Sequence, residues 1–152
     1  MQNLEILVRE FLAYRGFLST VKSFENECKN DRLKSFRVDK IVDSIQSAIN
    51  LSDLQELRDI WRNLDHFFFT KLEQNFSEAV KKLESGIFKI YLVVASNNSR
   101  ADKIAEFFTK MASEIHSQNE WREWFYFQYC KSPEEHPSFA VYFTKSYHDT
   151  LF

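Results

Sequence analysis

Few residues of this sequence have the types and spacing that catalysis or metal binding requires. Cys130 and His136 could in principle act as a nucleophile and its base, and the alternative is a packed cysteine beside a loop histidine. The other histidines, His66, His116 and His148, stand in no spacing typical of a zinc site. A phosphate-binding loop needs several glycines, and the chain has only two. We therefore predict a protein that is not an enzyme and that holds no cofactor or metal.

The composition predicts a helical, globular chain of the size of one domain. The chain has 152 residues, of which 44% are hydrophobic and 28% are charged. Glycine and proline number two each, whereas an all-β domain would need more of both for its turns. The sixteen phenylalanines indicate an aromatic-rich core or interface.

The charge and hydropathy patterns exclude several kinds of partner. The net charge is −2 with both signs interspersed, whereas nucleic-acid binding needs a concentrated basic surface. No apolar run approaches the ~18 residues of a membrane-spanning helix, and the N-terminus lacks a signal-peptide pattern. Cys28 and Cys130 belong to no motif and fit free thiols in a reducing cytosol. We expect no nucleic-acid partner, no transmembrane segment and a cytoplasmic location.

The elements that would position any functional residues begin with a helical hairpin. Two stripes of helical spacing are separated by Gly16, a residue that readily ends a helix. The stripes consist of Leu4, Leu7, Val8, Phe11 and Leu12, and of Phe17, Thr20, Val21, Phe24 and Cys28. A hairpin this small cannot bury both stripes within itself, so it must pack on the rest of the chain or on a second copy.

Within this hairpin, a set of fixed spacings resembles the LisH motif. The matching residues are Phe11-Leu12, Gly16-Phe17, Thr20-Val21, Phe24 and Glu27. Val21 departs from the motif, which usually has alanine there. The resemblance implies homodimerisation through residues Leu4, Leu7, Val8, Phe11, Leu12, Gly16, Phe17, Thr20, Val21, Phe24 and Glu27. The alternative is a hairpin whose stripes face the core of its own chain.

The rest of the chain predicts an all-α fold of seven to nine short helices packed as successive hairpins. Residues 1–34 form the LisH hairpin, and residues 35–152 form a helical region packed with it as one domain. Ser52 with Gln55 predicts a capping box, and Gly86 predicts a helix end. The stretch 87–95 could be a buried strand or a central helix, and we favour the helix. The unfinished apolar pattern at Leu151-Phe152 indicates a fragment of a longer protein.

Aromatic residues offer a second kind of interaction surface. Trp61, Trp121 and Trp124 could anchor a partner, although core packing is the ordinary role of tryptophan. The aromatic excess between Trp121 and Tyr147 also suggests a monomeric helical groove that binds a peptide.

Beyond the LisH stretch, several segments resemble the N-terminal region of a family of endosomal WD-repeat proteins. These segments are Ser35–Asp43, Phe88–Val93, Arg100–Phe108 and Pro137–Phe143. Family members carry a LisH-bearing helical region, a coiled coil and a C-terminal WD-repeat propeller. A related helical region occurs in a ciliary LisH and armadillo-repeat protein, which is the alternative identity.

The resemblance implies a scaffold role on the cytosolic face of early and late endosomes. Family members act with a BEACH/WD-repeat partner, restrain the class III phosphatidylinositol 3-kinase complex and promote early-to-late endosome conversion. The expected partners are therefore a second copy, the BEACH/WD-repeat protein and the kinase complex, with membrane association that is indirect.

Overall fold

The structure is a computed structural model, and it describes residues 2–30, 37–69 and 76–152. Within these ranges the chain is helical and contains no strand, which confirms the predicted all-α fold. The α-helices are α1 (Gln2–Tyr14), α2 (Leu18–Asn30), α3 (Val38–Asn50), α4 (Leu54–Phe67), α5 (Ser77–Asn97), α6 (Ala101–Ile115) and α7 (Lys145–Leu151). Short 3₁₀ segments lie at Asn119–Trp121, Glu123–Tyr129, Pro133–Glu135 and Ala140–Phe143.

The chain divides into two compact units, residues 1–37 and residues 38–152. The first unit contains α1 and α2, which pack on each other as a hairpin. The second unit contains α3 to α7 and the 3₁₀ segments. The domain boundary predicted after residue 34 lies outside the described residues. Packing of both parts as one domain stays a prediction.

The turn between α1 and α2 is a Schellman motif around Gly16. Its φ is +78°, the left-handed conformation that glycine adopts without strain. The Phe17 N–H donates to the Leu12 carbonyl at 2.9 Å, and the Gly16 N–H donates to the Ala13 carbonyl at 3.0 Å. Because the turn satisfies these helix-end carbonyls, α1 ends at the glycine as the sequence predicted.

Helix α5 is the centre of the second unit. Its residues 85–93 are all buried, so this part of the helix is enclosed on every side. It packs against α3, α6, α7 and the 3₁₀ segment Ala140–Phe143. A helix that is apolar all round is typical of such a central position. The stretch 87–95 is therefore helical, and its β-branched residues reflect burial rather than a strand.

The helix end predicted at Gly86 is wrong, because Gly86 lies inside α5. A Cβ at this position would lie 2.9 Å from the Tyr147 hydroxyl oxygen and 3.1 Å from Leu151 Cδ1. Such distances are shorter than ordinary van der Waals contact. A methyl group here would press on the ends of these two side chains, so this glycine permits the close approach of α7 and does not end a helix.

Helix α4 begins one residue later than the predicted capping box. Asp53 is the N-cap, and its Oδ1 accepts from the Glu56 backbone N–H at 3.0 Å. Ser52 instead has a positive φ of 54° and is buried. Its carbonyl oxygen accepts a hydrogen bond of 3.1 Å from the Tyr91 hydroxyl. Tyr91 of α5 thus fixes the α3–α4 turn from the core side.

Candidate interaction surface

Cys130 and His136, the two residues that could in principle act as nucleophile and base, both contact neighbouring side chains or backbone. His136 stacks on Phe139 with 4.7 Å between ring centroids, and its Nδ1 accepts the Ser138 backbone N–H at 3.2 Å. Cys130 is half-buried and packs against the hydrophobic core of the second unit. Both residues thus make packing contacts within the second unit.

The described residues contain neither a candidate metal site nor a candidate membrane span. No group of three or more histidine, cysteine, aspartate or glutamate side chains in these ranges could hold a metal ion. No helix in the same ranges is both long and apolar enough to cross a bilayer.

The three tryptophans are core residues of the second unit. Trp61, Trp121 and Trp124 are all buried, as the packing interpretation predicted. Trp124 contacts Phe127 and Phe139 at centroid distances of 5.2 Å and 4.8 Å. Most of the aromatic side chains near the C-terminus are thus packed inside the second unit. Exposed aromatic side chains remain at Tyr126 and Tyr129.

A lysine lies among these aromatic rings. Lys89 of α5 is 5% exposed, and its Nζ lies 5.2 Å from the Trp121 ring centroid, 5.5 Å from that of Trp124 and 5.4 Å from that of Tyr142. Burial lowers the pKa of the Lys89 ammonium, and the charge of Glu120 opposes this effect. The rings compensate part of the cost of burying the charge through cation–π attraction.

The hairpin of the first unit shows the opposite pattern, because its apolar residues are exposed. Leu7 is 61% exposed and Phe11 is 56% exposed, although both belong to the α1 stripe. The exposed apolar residues that the sequence singled out are Leu4, Leu7, Val8, Phe11 and Phe17, which we call the hairpin face. Several large apolar side chains exposed on one small hairpin are typical of an interaction site.

The other predicted interaction residues lie elsewhere on the hairpin. Leu12, Val21 and Phe24 are half-buried, which fits contacts between α1 and α2. Gly16 forms the turn, while Thr20 and Glu27 are exposed. The hairpin thus uses part of each stripe internally and leaves the hairpin face in solvent.

The structure adds exposed apolar residues that the stripes did not include. Ile6, Tyr14 and Leu18 are exposed, and the last two flank the Gly16 turn. Tyr14 and Leu18 stand at helix ends, Ile6 lies inside α1, and all three are outside the periodic positions of the stripes. Arg9 of α1 pairs with Glu25 of α2 at 3.7 Å, an exposed ion pair that contributes little energy.

Two family models match the chain and together cover most of it. A model described as "Armc9, CTLH-like domain" matches residues 39–152, and one described as "ARMC9, LIS1 homology motif" matches residues 3–31. The second match covers the hairpin of the first unit, and the first covers nearly all of the second unit.

Curated relatives are similar along nearly the whole chain. WD repeat-containing protein 91 of Bos taurus is 42% identical over 145 residues, which are 95% of this chain and 19% of that protein. The Gallus gallus protein of the same name is 43% identical over 95% of this chain. Its Dictyostelium discoideum homolog is 32% identical over 97% of this chain and 24% of its own length. The chain spans about a fifth of the length of these relatives, and no solved structure matches it.

Proposed function

Because this chain belongs to the Armc9 CTLH-like domain family and is homologous to the LisH-containing N-terminal region of WD repeat-containing protein 91, we propose that it is a dimerisation and scaffold module. Its two family matches indicate a protein-interaction module. The module acts without catalysis, by bringing two copies of a longer protein together through the LisH hairpin.

The exposed hairpin face is the observation that supports this proposal. Leu4, Leu7 and Phe11 lie on one side of α1, at spacings of three and four residues. Each is at least half exposed in the single chain. Fully burying one such side chain contributes ~1.5–3 kcal/mol, so a second copy that covers the face would supply a strong driving force.

The small size of the hairpin also supports dimerisation. Helices α1 and α2 have 13 residues each, and helices of this length are marginal in water when isolated. None of the side chains that the structure describes in α2 is buried. Pairing with a second hairpin would give both helices the buried surface that they lack.

The homology supports a proposal about the wider role. We propose that the full-length protein acts with a BEACH/WD-repeat partner on the cytosolic face of early and late endosomes. There it lowers class III phosphatidylinositol 3-kinase activity and promotes early-to-late endosome conversion. Because the chain spans about a fifth of its relatives, this region supplies assembly while the remaining regions supply the contacts with the endosome.

A second candidate is a monomeric peptide-binding module of a ciliary LisH and armadillo-type protein. The two family models, both of which are described by the name Armc9, favour this candidate. In that case the hairpin face would bind a helix of another protein rather than a second copy.

Light scattering of residues 1–152 over a range of concentrations tests the proposal. The unchanged chain is expected to be a dimer, and Phe11→Asp is expected to be a monomer, because a carboxylate in the interface cannot be desolvated. Val141→Asp is the matched control, since Val141 is similarly exposed but lies in the second unit. A chain that is monomeric at every concentration, or a Phe11→Asp variant that stays dimeric, would contradict the proposal.

A further inference from the structure

We draw no further inference here: the strongest candidate, the surface groove between α3, α5 and α7 whose apolar lining is Val42, Ile49, Ile90, Val94 and Phe152, carries none, because nothing in the structure shows what covers it.

Discussion

The Tyr147 hydroxyl oxygen lies 2.9 Å from the position that a Cβ on Gly86 would occupy. This approach brings α7 against the central helix α5, and Leu151 lies almost as close to the same point. The contact connects a residue in the middle of the sequence with one near its end. The close packing of α7 on α5 at this point is therefore possible because Gly86 has no side chain.

We predict that Gly86→Ala destabilises the second unit by about 1 kcal/mol. Alanine gains ~1 kcal/mol in helix propensity, but overpacking against Tyr147 and Leu151 costs more than this gain. Chemical denaturation measures the change. In a Tyr147→Phe background the same substitution should cost less, because the hydroxyl that collides is absent. Equal costs in both backgrounds would show that the hydroxyl does not cause the strain.

Gly16→Ala should weaken the hairpin for a different reason. No atom lies within 4 Å of a Cβ at Gly16, so the cost of about 1 kcal/mol comes only from the left-handed φ of +78°. Hydrogen exchange of the Phe17 amide, which bonds to the Leu12 carbonyl, should become faster. Gly16→Asn should have a smaller effect, since asparagine tolerates this conformation better than alanine. Unchanged exchange in the alanine variant would contradict the prediction.

Asp53→Ala should lower the free energy of unfolding by about 1 kcal/mol. The variant loses the hydrogen bond from the Glu56 N–H that caps α4. Asp43→Ala is the control, because Asp43 is an exposed residue in the middle of α3 and caps no helix. If both variants unfold at the same denaturant concentration, the cap does not stabilise α4.

Lys89→Met should be as stable as the unchanged protein or more stable by about 1 kcal/mol. Methionine fills the space among Trp121, Trp124 and Tyr142 without a buried charge. Lys89→Ala should instead cost about 3 kcal/mol, because it leaves a cavity. Thermal unfolding compares the two variants. A methionine variant as unstable as the alanine variant would show that the cation–π contacts outweigh the cost of desolvation.

The protein should lose stability as the pH rises above about 10. Burial raises the pKa of the Tyr147 phenol from 10.0 to about 12, and burial also raises the pKa values of Tyr91 and Tyr142. At a pH between about 10 and about 12, the Tyr147 phenol is ionised in the unfolded chain but keeps its proton in the folded chain. Unfolding therefore becomes more favourable as the pH rises. The lowered pKa of Lys89 makes the folded state more favourable as the pH rises, but this is one group, whereas three tyrosines have the opposite effect.

Denaturant titrations between pH of about 9 and about 12 measure this effect. Tyr147→Phe should reduce the pH dependence, because it removes one phenol that ionises late. Lys89→Met should increase it, because it removes the opposing group. A free energy of unfolding that is constant over this range would contradict the assignment of these tyrosines to the interior.

Local patterns in the sequence were sufficient to predict the helical fold and the Gly16 turn. Helical spacing, scarce glycine and the LisH resemblance all depend on neighbours within a few residues. The end predicted at Gly86 failed because the reason for that glycine is Tyr147, which lies far away in sequence. The capping box was one residue off although the correct pattern is also local, because Asp53 and Glu56 have the same spacing as Ser52 and Gln55 and aspartate is an equally good N-cap.

The candidate interaction surface was predictable in part. The hairpin face follows from the α1 stripe, since the amphipathic pattern marks Leu4, Leu7 and Phe11 as apolar positions on one side. The exposed Tyr14 and Leu18 were not predicted, because they lie outside the periodic positions of the two stripes.

The position of α7 on α5 also has a consequence for synthesis on the ribosome. The residues of the hairpin, 2–30, leave the exit tunnel first, and pairing with the hairpin of another nascent chain would give both helices the buried surface that one hairpin lacks. The core around α5 is complete only when Tyr147 and Leu151 have been translated. Each nascent chain therefore presents its exposed hairpin face before its second unit can close.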